Sequence, residues 1–230
     1  MGGKKNESVR WDDVHKRISE DSYSHSLYAL EKEKLFPRNS IVCDLGGGMG
    51  LDALYFLKRG HKVILLDISD FALRFAKKLA NDVKLSGRLA TKQADFGLEG
   101  IPLKNDSVDV CYSRIGLNYF PAAETSSLFS DVYRILKPGG KAFLAFKSPD
   151  DREEMIFLKN KAVEMEDGVF IEEEQIRSRF TSEQLKRITA KARIKNFDVQ
   201  VFVEPQGMLR DESNISRDKP LYLNEVTFTK

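Results

Sequence analysis

Ten residues, Ile41-Val42-Cys43-Asp44-Leu45-Gly46-Gly47-Gly48-Met49-Gly50, limit what this chain can fold into more than any others. A short apolar run ends in an aspartate and passes at once into a glycine-dense turn. The next stretch, Gly50–Arg59, reads as a helix. A strand entering a helix through such a turn is a common seat for a nucleotide-like ligand. So many glycines cost backbone entropy, which a close ligand offsets. Asp44 bears on which ligand. A carboxylate there repels a pyrophosphate and welcomes a cofactor that carries an amine or a cationic centre. A shifted frame, Gly48-x-Gly50-x-x-Ala53, also matches the dinucleotide fingerprint. Its first glycine, however, lies three residues past the strand, where the fingerprint needs it directly after.

The chain then alternates. Strands are expected at Lys62–Asp67, Leu89–Ala94, Val108–Ser113 and Lys141–Phe146, with helices at Phe71–Val83 and Ala122–Leu136. Lys137-Pro138-Gly139-Gly140 reads as a sharp stop and turn. This order predicts an α/β fold with a doubly wound, mostly parallel sheet. Before it, residues 1–10 are polar and read as a loose leader, and residues 11–36 read as helices with a loop. Residues 1–38 are therefore expected to form a helical cap, and residues 39–230 the main domain. Within that domain, residues 148–180 are strongly charged and read as a solvated insertion or lid loop. Thr181-Ser182-Glu183-Gln184 looks like the start of a capped helix running to about Arg193. Strands near Phe197–Glu204 and Leu221–Thr229 close the chain, joined by a loop over residues 206–219.

The acids that end successive strands form a series. Asp67 closes the second strand and can take both ribose hydroxyls of an adenosine ligand. Asp95 closes the third, where it can accept from an adenine amino group while Phe96 covers the ring. Arg114, at the end of the fourth strand, can hold a carboxylate of the cofactor or of an acidic substrate.

Composition narrows the partners. Among 230 residues, Lys and Arg total 37 and Asp and Glu 35, a net charge of +2 that gives no push toward nucleic acid or membrane. Cys43 and Cys111 sit in apolar runs and read as buried thiols of a reducing compartment. The three histidines, His15, His25 and His61, are scattered, so no metal site is expected. No run is long and apolar enough to span a bilayer and no signal peptide is evident, so a cytoplasmic location is expected.

Asp44-x-Gly46-x-Gly48-x-Gly50, the segment Asn105–Arg114 and Arg134-Ile135-Leu136-Lys137-Pro138-Gly139-Gly140 together resemble the class I S-adenosylmethionine (SAM) methyltransferases with a type 11 or type 25 methyltransferase domain. The resemblance runs over about residues 40–147, and the two last strands fit the family's closing antiparallel pair. It implies a seven-stranded Rossmann-like sheet with SAM as cofactor and S-adenosylhomocysteine as product. It carries the cofactor contacts to Asp44, Gly46, Gly48, Gly50, Asp67, Ile68, Asp95, Phe96 and Arg114. Ser113–Phe120 is similar to a bacterial subgroup in which a histidine often stands where this chain has Asn118. Methyl transfer from a sulfonium needs alignment and exclusion of water more than a base. Candidates for any acid–base role are His25, Tyr23, Tyr28 and Tyr119.

The expected partner is a small-molecule acceptor. Three other readings compete: an RNA or protein methyltransferase, an NAD-dependent oxidoreductase, and a SAM-binding protein without turnover. The absence of an Asn/Asp-Pro-Pro-Tyr motif argues against a nucleic-acid enzyme. Asp44, which would face the pyrophosphate of a dinucleotide, argues against a dehydrogenase.

Overall fold

The computed structural model describes residues 7–18, 24–205 and 220–230. Helices α1 (Glu7–Ile18) and α2 (Leu27–Glu33) precede the first strand. The repeating unit follows: β1 (Ile41–Leu45), α3 (Leu51–Lys58), β2 (Lys62–Asp67), α4 (Asp70–Asp82), β3 (Leu89–Gln93), α5 (Phe96–Glu99), β4 (Val108–Arg114), α6 (Ala122–Ile135) and β5 (Leu136–Lys147). Then come α7 (Arg152–Lys161), β6 (Val163–Glu166), β7 (Val169–Glu172), β8 (Gln175–Ser178), α8 (Ser182–Lys191), β9 (Phe197–Glu204) and β10 (Leu221–Thr229).

Among the described residues the main sheet has seven strands in the order β3-β2-β1-β4-β5-β10-β9. Strands β1 to β5 pair in parallel, and β10 pairs antiparallel with both β5 and β9. Helices cover both faces, so the central strands are apolar on both sides rather than alternating. On one face Val42, Val110, Tyr112 and Phe143 pack with Tyr28, Phe56, Leu73 and Ala76 of α2, α3 and α4. On the other, Cys43, Cys111, Leu144 and Phe146 pack with Phe129, Val132, Leu185 and Ile188 of α6 and α8. The two free cysteines are register partners across β1 and β4, both fully buried. The chain order reverses between β1 and β4, and the crevice beyond their carboxyl ends is where an open α/β sheet takes its ligand.

Three local features depart from the sequence expectation. Residues 7–10, read as loose leader, are helical, because Glu7, Ser8 and Arg10 extend the amphipathic turn that Trp11 begins. The segment 148–180 is not a solvated loop. It is a helix followed by a three-stranded antiparallel sheet, β6-β7-β8, with Val169, Phe170 and Phe180 buried beneath it. Its charges hid the pairing: Glu154 lies buried between Lys147 (3.0 Å) and Arg179 (2.6 Å), fixing the segment to the end of β5. Finally, Lys137–Gly140 does not end before β5 but forms an excursion within it. Leu136 pairs with Val108 and Lys141 with Val110, so the turn residues loop out between the two pairings. The capping box of α8 forms as expected, Thr181 Oγ1 accepting from the Gln184 backbone N–H at 3.2 Å.

Candidate functional site

The strand-to-helix turn after β1 is built on positive φ. Gly46 (φ 63°) and Gly48 (φ 52°) hold conformations that a side chain would strain, and each has a close neighbour. A Cβ at Gly46 would lie 2.8 Å from Gly116 Cα, so the loops after β1 and β4 touch backbone to backbone. A Cβ at Gly48 would lie 2.9 Å from His15 Cε1. Gly50 is the N-cap of α3 and offers no side chain to the helix start.

Asp44 lies under this loop, 1 % exposed, and its Oδ2 has no hydrogen-bond partner. Burial pushes its pKa well above the usual carboxylate range, and the Asp52 and Asp67 carboxylates push it further. An orphaned acceptor among other acids is complementary to a cation or an amine. Asp67 ends β2, accepting from Gly48 N and Ser69 N at 2.8 Å each. Burial raises its pKa, partly offset by His15 and by these backbone N–H groups. Ser69, not Asp67, caps α4, its Oγ accepting from Ala72 N. Ile68 follows at the same rim, its carbonyl accepting from Gln93 Nε2 at 2.9 Å. Asp95 caps the short α5 through Gly97 N at 3.0 Å, and Phe96 is buried against the same edge. The donor set fits SAM: a buried unpaired acid for its amine, a second acid for a ribose, and a glycine cradle that a Cβ would fill.

The structure separates Arg114 from this group. Its guanidinium donates to both oxygens of Glu204 on β9, with Nε–Oε1 at 3.2 Å. Burial works against the charge, but Glu204 outweighs burial and holds the pKa of Arg114 up. Next to this pair, Tyr112 Oη donates to Asp52 Oδ2 at 2.6 Å, and Ser26 N and Oγ hold the same carboxylate at 2.7 and 2.8 Å. The sequence reading missed this network. Its one legible sign was an acid, Asp52, in the first turn of α3.

The acid–base candidates scatter. Tyr23 lies outside the described residues. Tyr28 is fully buried, its hydroxyl donating to Glu225 Oε1 at 3.0 Å, which makes it a packing residue. His25 is half-buried and stacks on Tyr55 at 4.2 Å. His61 is structural: Nδ1 accepts from Ser40 N and Nε2 meets Glu33. Asn118, in the position where the resemblance expects a histidine, is buried and bridges the loop, Nδ2 donating to Ile115 O and Oδ1 accepting from Lys147 N. Tyr119 alone stands at the mouth. It meets the edge of Trp11 on α1 at 4.9 Å, and Arg177 on β8 lies 5.7 Å over its ring. Arg10 also donates to the Glu173 carbonyl of the β7–β8 turn at 2.8 Å. Helix α1, the loop after β4 and the β6-β7-β8 sheet thus converge at one rim. Ile115 beside them holds φ 55°, an outlier for a β-branched residue.

Two grooves lie elsewhere. One of about 520 Å³ runs along β5, β10 and β9 past Lys32 and Asp198, and one of about 400 Å³ lies between α6 and α8. Among the described residues no group of acids, cysteines and histidines is placed to hold a metal ion, and no helix is long and apolar enough to cross a membrane.

Residues 42–140 match the family model described as a methyltransferase domain. The malonyl-[acyl-carrier protein] O-methyltransferase of Yersinia pestis is 29 % identical over 102 residues, 44 % of this chain and 34 % of that protein. The ubiquinone/menaquinone biosynthesis C-methyltransferase of Salmonella arizonae is 31 % identical over 116 residues, 49 % of this chain and 45 % of that protein. The chain thus spans less than half the length of these curated relatives. In fold it is similar to the Burkholderia thailandensis 1,6-didemethyltoxoflavin-N1-methyltransferase, solved with that substrate and S-adenosylhomocysteine. The TM-score is 0.69 at 16 % identity, covering 96 % of this chain and 84 % of the other. Sheet order, glycine cradle and family match coincide: residues 42–140 are similar in sequence to a methyltransferase domain, and the chain as a whole is similar in fold to a SAM-dependent methyltransferase.

Proposed function

We propose that the chain transfers the methyl group of SAM to a small-molecule acceptor by in-line displacement. The observation that carries this reading is Asp44, a buried acid with an unpartnered oxygen directly beneath the glycine loop. SAM supplies an electrophilic methyl group on a sulfonium, already a good leaving group. In this reading Asp44 orients the amine of its methionine end, Asp67 takes the ribose hydroxyls, and Asp95 and Phe96 receive the adenine. Gly46, Gly48 and Gly50 let the backbone approach, and Ile68 lines the same rim. Arg114 acts through Glu204, fixing the end of β4 beneath the reacting groups.

The chain needs to exclude water and align the acceptor. Trp11, Tyr119 and Arg177 are the groups placed to do so. The names of the similar proteins span oxygen, carbon and nitrogen acceptors, which supports a scaffold that does not itself fix the acceptor atom. The free, buried Cys43 and Cys111 support a cytoplasmic setting. Calorimetric titration with SAM and S-adenosylhomocysteine tests the cofactor claim, and binding of neither sinks it. Labelled SAM offered with a metabolite extract then tests transfer.

A further inference from the structure

His15 was unremarkable in the sequence, one of three scattered histidines, yet the fold places it on the cofactor cradle. It is 8 % exposed, on the inner side of α1. Its ring lies over the bare backbone of Gly48: a Cβ there would stand 2.9 Å from Cε1, 3.5 Å from Nε2 and 3.8 Å from Nδ1. It is close enough to Asp67 for its charge to act on that carboxyl. Among the described residues its Nδ1 is one of two buried side-chain polar atoms without a partner, and the other is Asp44 Oδ2. Both therefore border the glycine loop: a Cβ at Gly47 would lie 2.5 Å from Asp44 Oδ2, as one at Gly48 would lie against the His15 ring. Buried polar atoms in folded proteins are nearly always paired, so an orphan calls for a missing partner. Two orphans bordering a single cradle point to one ligand bound there.

We propose that His15 is a cofactor-binding residue that closes over the nucleoside from α1 and hydrogen-bonds a ribose hydroxyl through Nδ1, opposite Asp67. This rests on the SAM reading above. The chemistry suits the partner, since an imidazole nitrogen donates or accepts according to tautomer and a hydroxyl does either. The helix that carries His15 is tied down along the rim by polar bonds. Asp12 Oδ1 accepts from Ser69 Oγ (2.6 Å) and Phe71 N (3.0 Å), capping the start of α4 next to Asp67. Gln93 Nε2 donates to Ser8 Oγ at 3.1 Å, and Arg10 reaches the β7–β8 turn. Ties of this kind, at half-buried and exposed positions, let the helix lift and reseat without unfolding a core. Closing α1 on a bound nucleoside seats Trp11 against Tyr119 at the mouth in the same movement.

The chain has a built-in reporter, because Trp11 is its single tryptophan and lies one helical turn from His15. The test compares wild type, His15→Ala and His15→Gln in binding S-adenosylhomocysteine and adenosine by calorimetry, with Trp11 emission recorded in the same titrations. Wild type is expected to shift its emission with the calorimetric midpoint. His15→Ala is expected to weaken both ligands by a similar factor, about 5- to 30-fold, and His15→Gln to recover part of it. His15→Ala binding both ligands as tightly as wild type, or more tightly, overturns the inference; tighter binding would make His15 a plug. A loss confined to S-adenosylhomocysteine also overturns it, since the contact would then lie off the ribose. Should His15→Ala fail to fold, His15→Gln against wild type decides the question through the adenosine affinity: weaker binding supports the contact, and unchanged binding overturns it. Wild type that binds neither ligand overturns the cofactor reading and this inference together, whereas binding by wild type with indifferent variants overturns this inference alone.

Discussion

A carboxyl group held out of water beside two other acids works against the fold that contains it. Asp44 and Asp67 both have raised pKa values, so the folded chain keeps protons that the unfolded chain has already released above their ordinary value of 3.8. The folded state then binds more protons than the unfolded one, and stability falls as pH rises through the window from 3.8 up to the folded values. Asp44→Asn removes one of these charges. In differential scanning calorimetry of the ligand-free protein, the variant is expected to melt higher than wild type at neutral pH. The gap should close as the pH falls below 3.8, where both states of wild type carry the proton. The same change is expected to weaken SAM about 10-fold or more, because a charge-assisted bond to the amine is lost. A variant that melts higher and binds worse shows that the acid is kept for its ligand, not for the fold.

Among the elements, the insertion between β5 and α8 depends most on a few side chains. Glu154 accepts from Lys147 and from both Nε and Nη2 of Arg179 in a nearly water-free position. Glu154→Gln removes the carboxylate that two buried cations share, and a loss of about 3 kcal/mol is expected, read from the urea unfolding midpoint. The β7–β8 turn shows the opposite. Glu173 (φ 46°) and Glu174 (φ 68°) hold left-handed conformations that suit asparagine and glycine. The double substitution Glu173→Asn, Glu174→Gly is expected to stabilise the protein by about 1 kcal/mol, read as a rise in melting temperature. These elements also mark how far the sequence could be read. Strands β1, β2, β4 and β5 were legible because burial on both faces writes continuous apolar runs such as Val63–Leu66, and Thr181 to Gln184 announced α8 by its capping box. The three-stranded insertion sheet was not legible, because β6 is exposed along its whole length and its neighbours are rich in glutamate. Asp44, Asp67 and the glycine loop declared themselves through position on a predicted strand end. His15 and the pairing of Arg114 with Glu204 did not, since both depend on contacts between segments far apart in the chain.

For the molecule as a whole, cofactor binding and stability are linked. Ligand at about 100 times its dissociation constant adds about 2.7 kcal/mol to the folded state. For a chain of 230 residues that corresponds to a rise in melting temperature of about 5–10 °C. Thermal melts with increasing S-adenosylhomocysteine check this, and an unchanged transition would count against binding. One further consequence lies in how the first helices are anchored. The Tyr28 backbone N–H donates to Glu204, and its hydroxyl to Glu225, residues 176 and 197 positions further along the chain. During synthesis α2 leaves the ribosome early, but the carboxylates that hold Tyr28 follow only after some 176 and 197 further residues. The nascent protein can wind β1 to β5 as they emerge, while Tyr28 stays without its two carboxylate partners until β9 and β10 arrive.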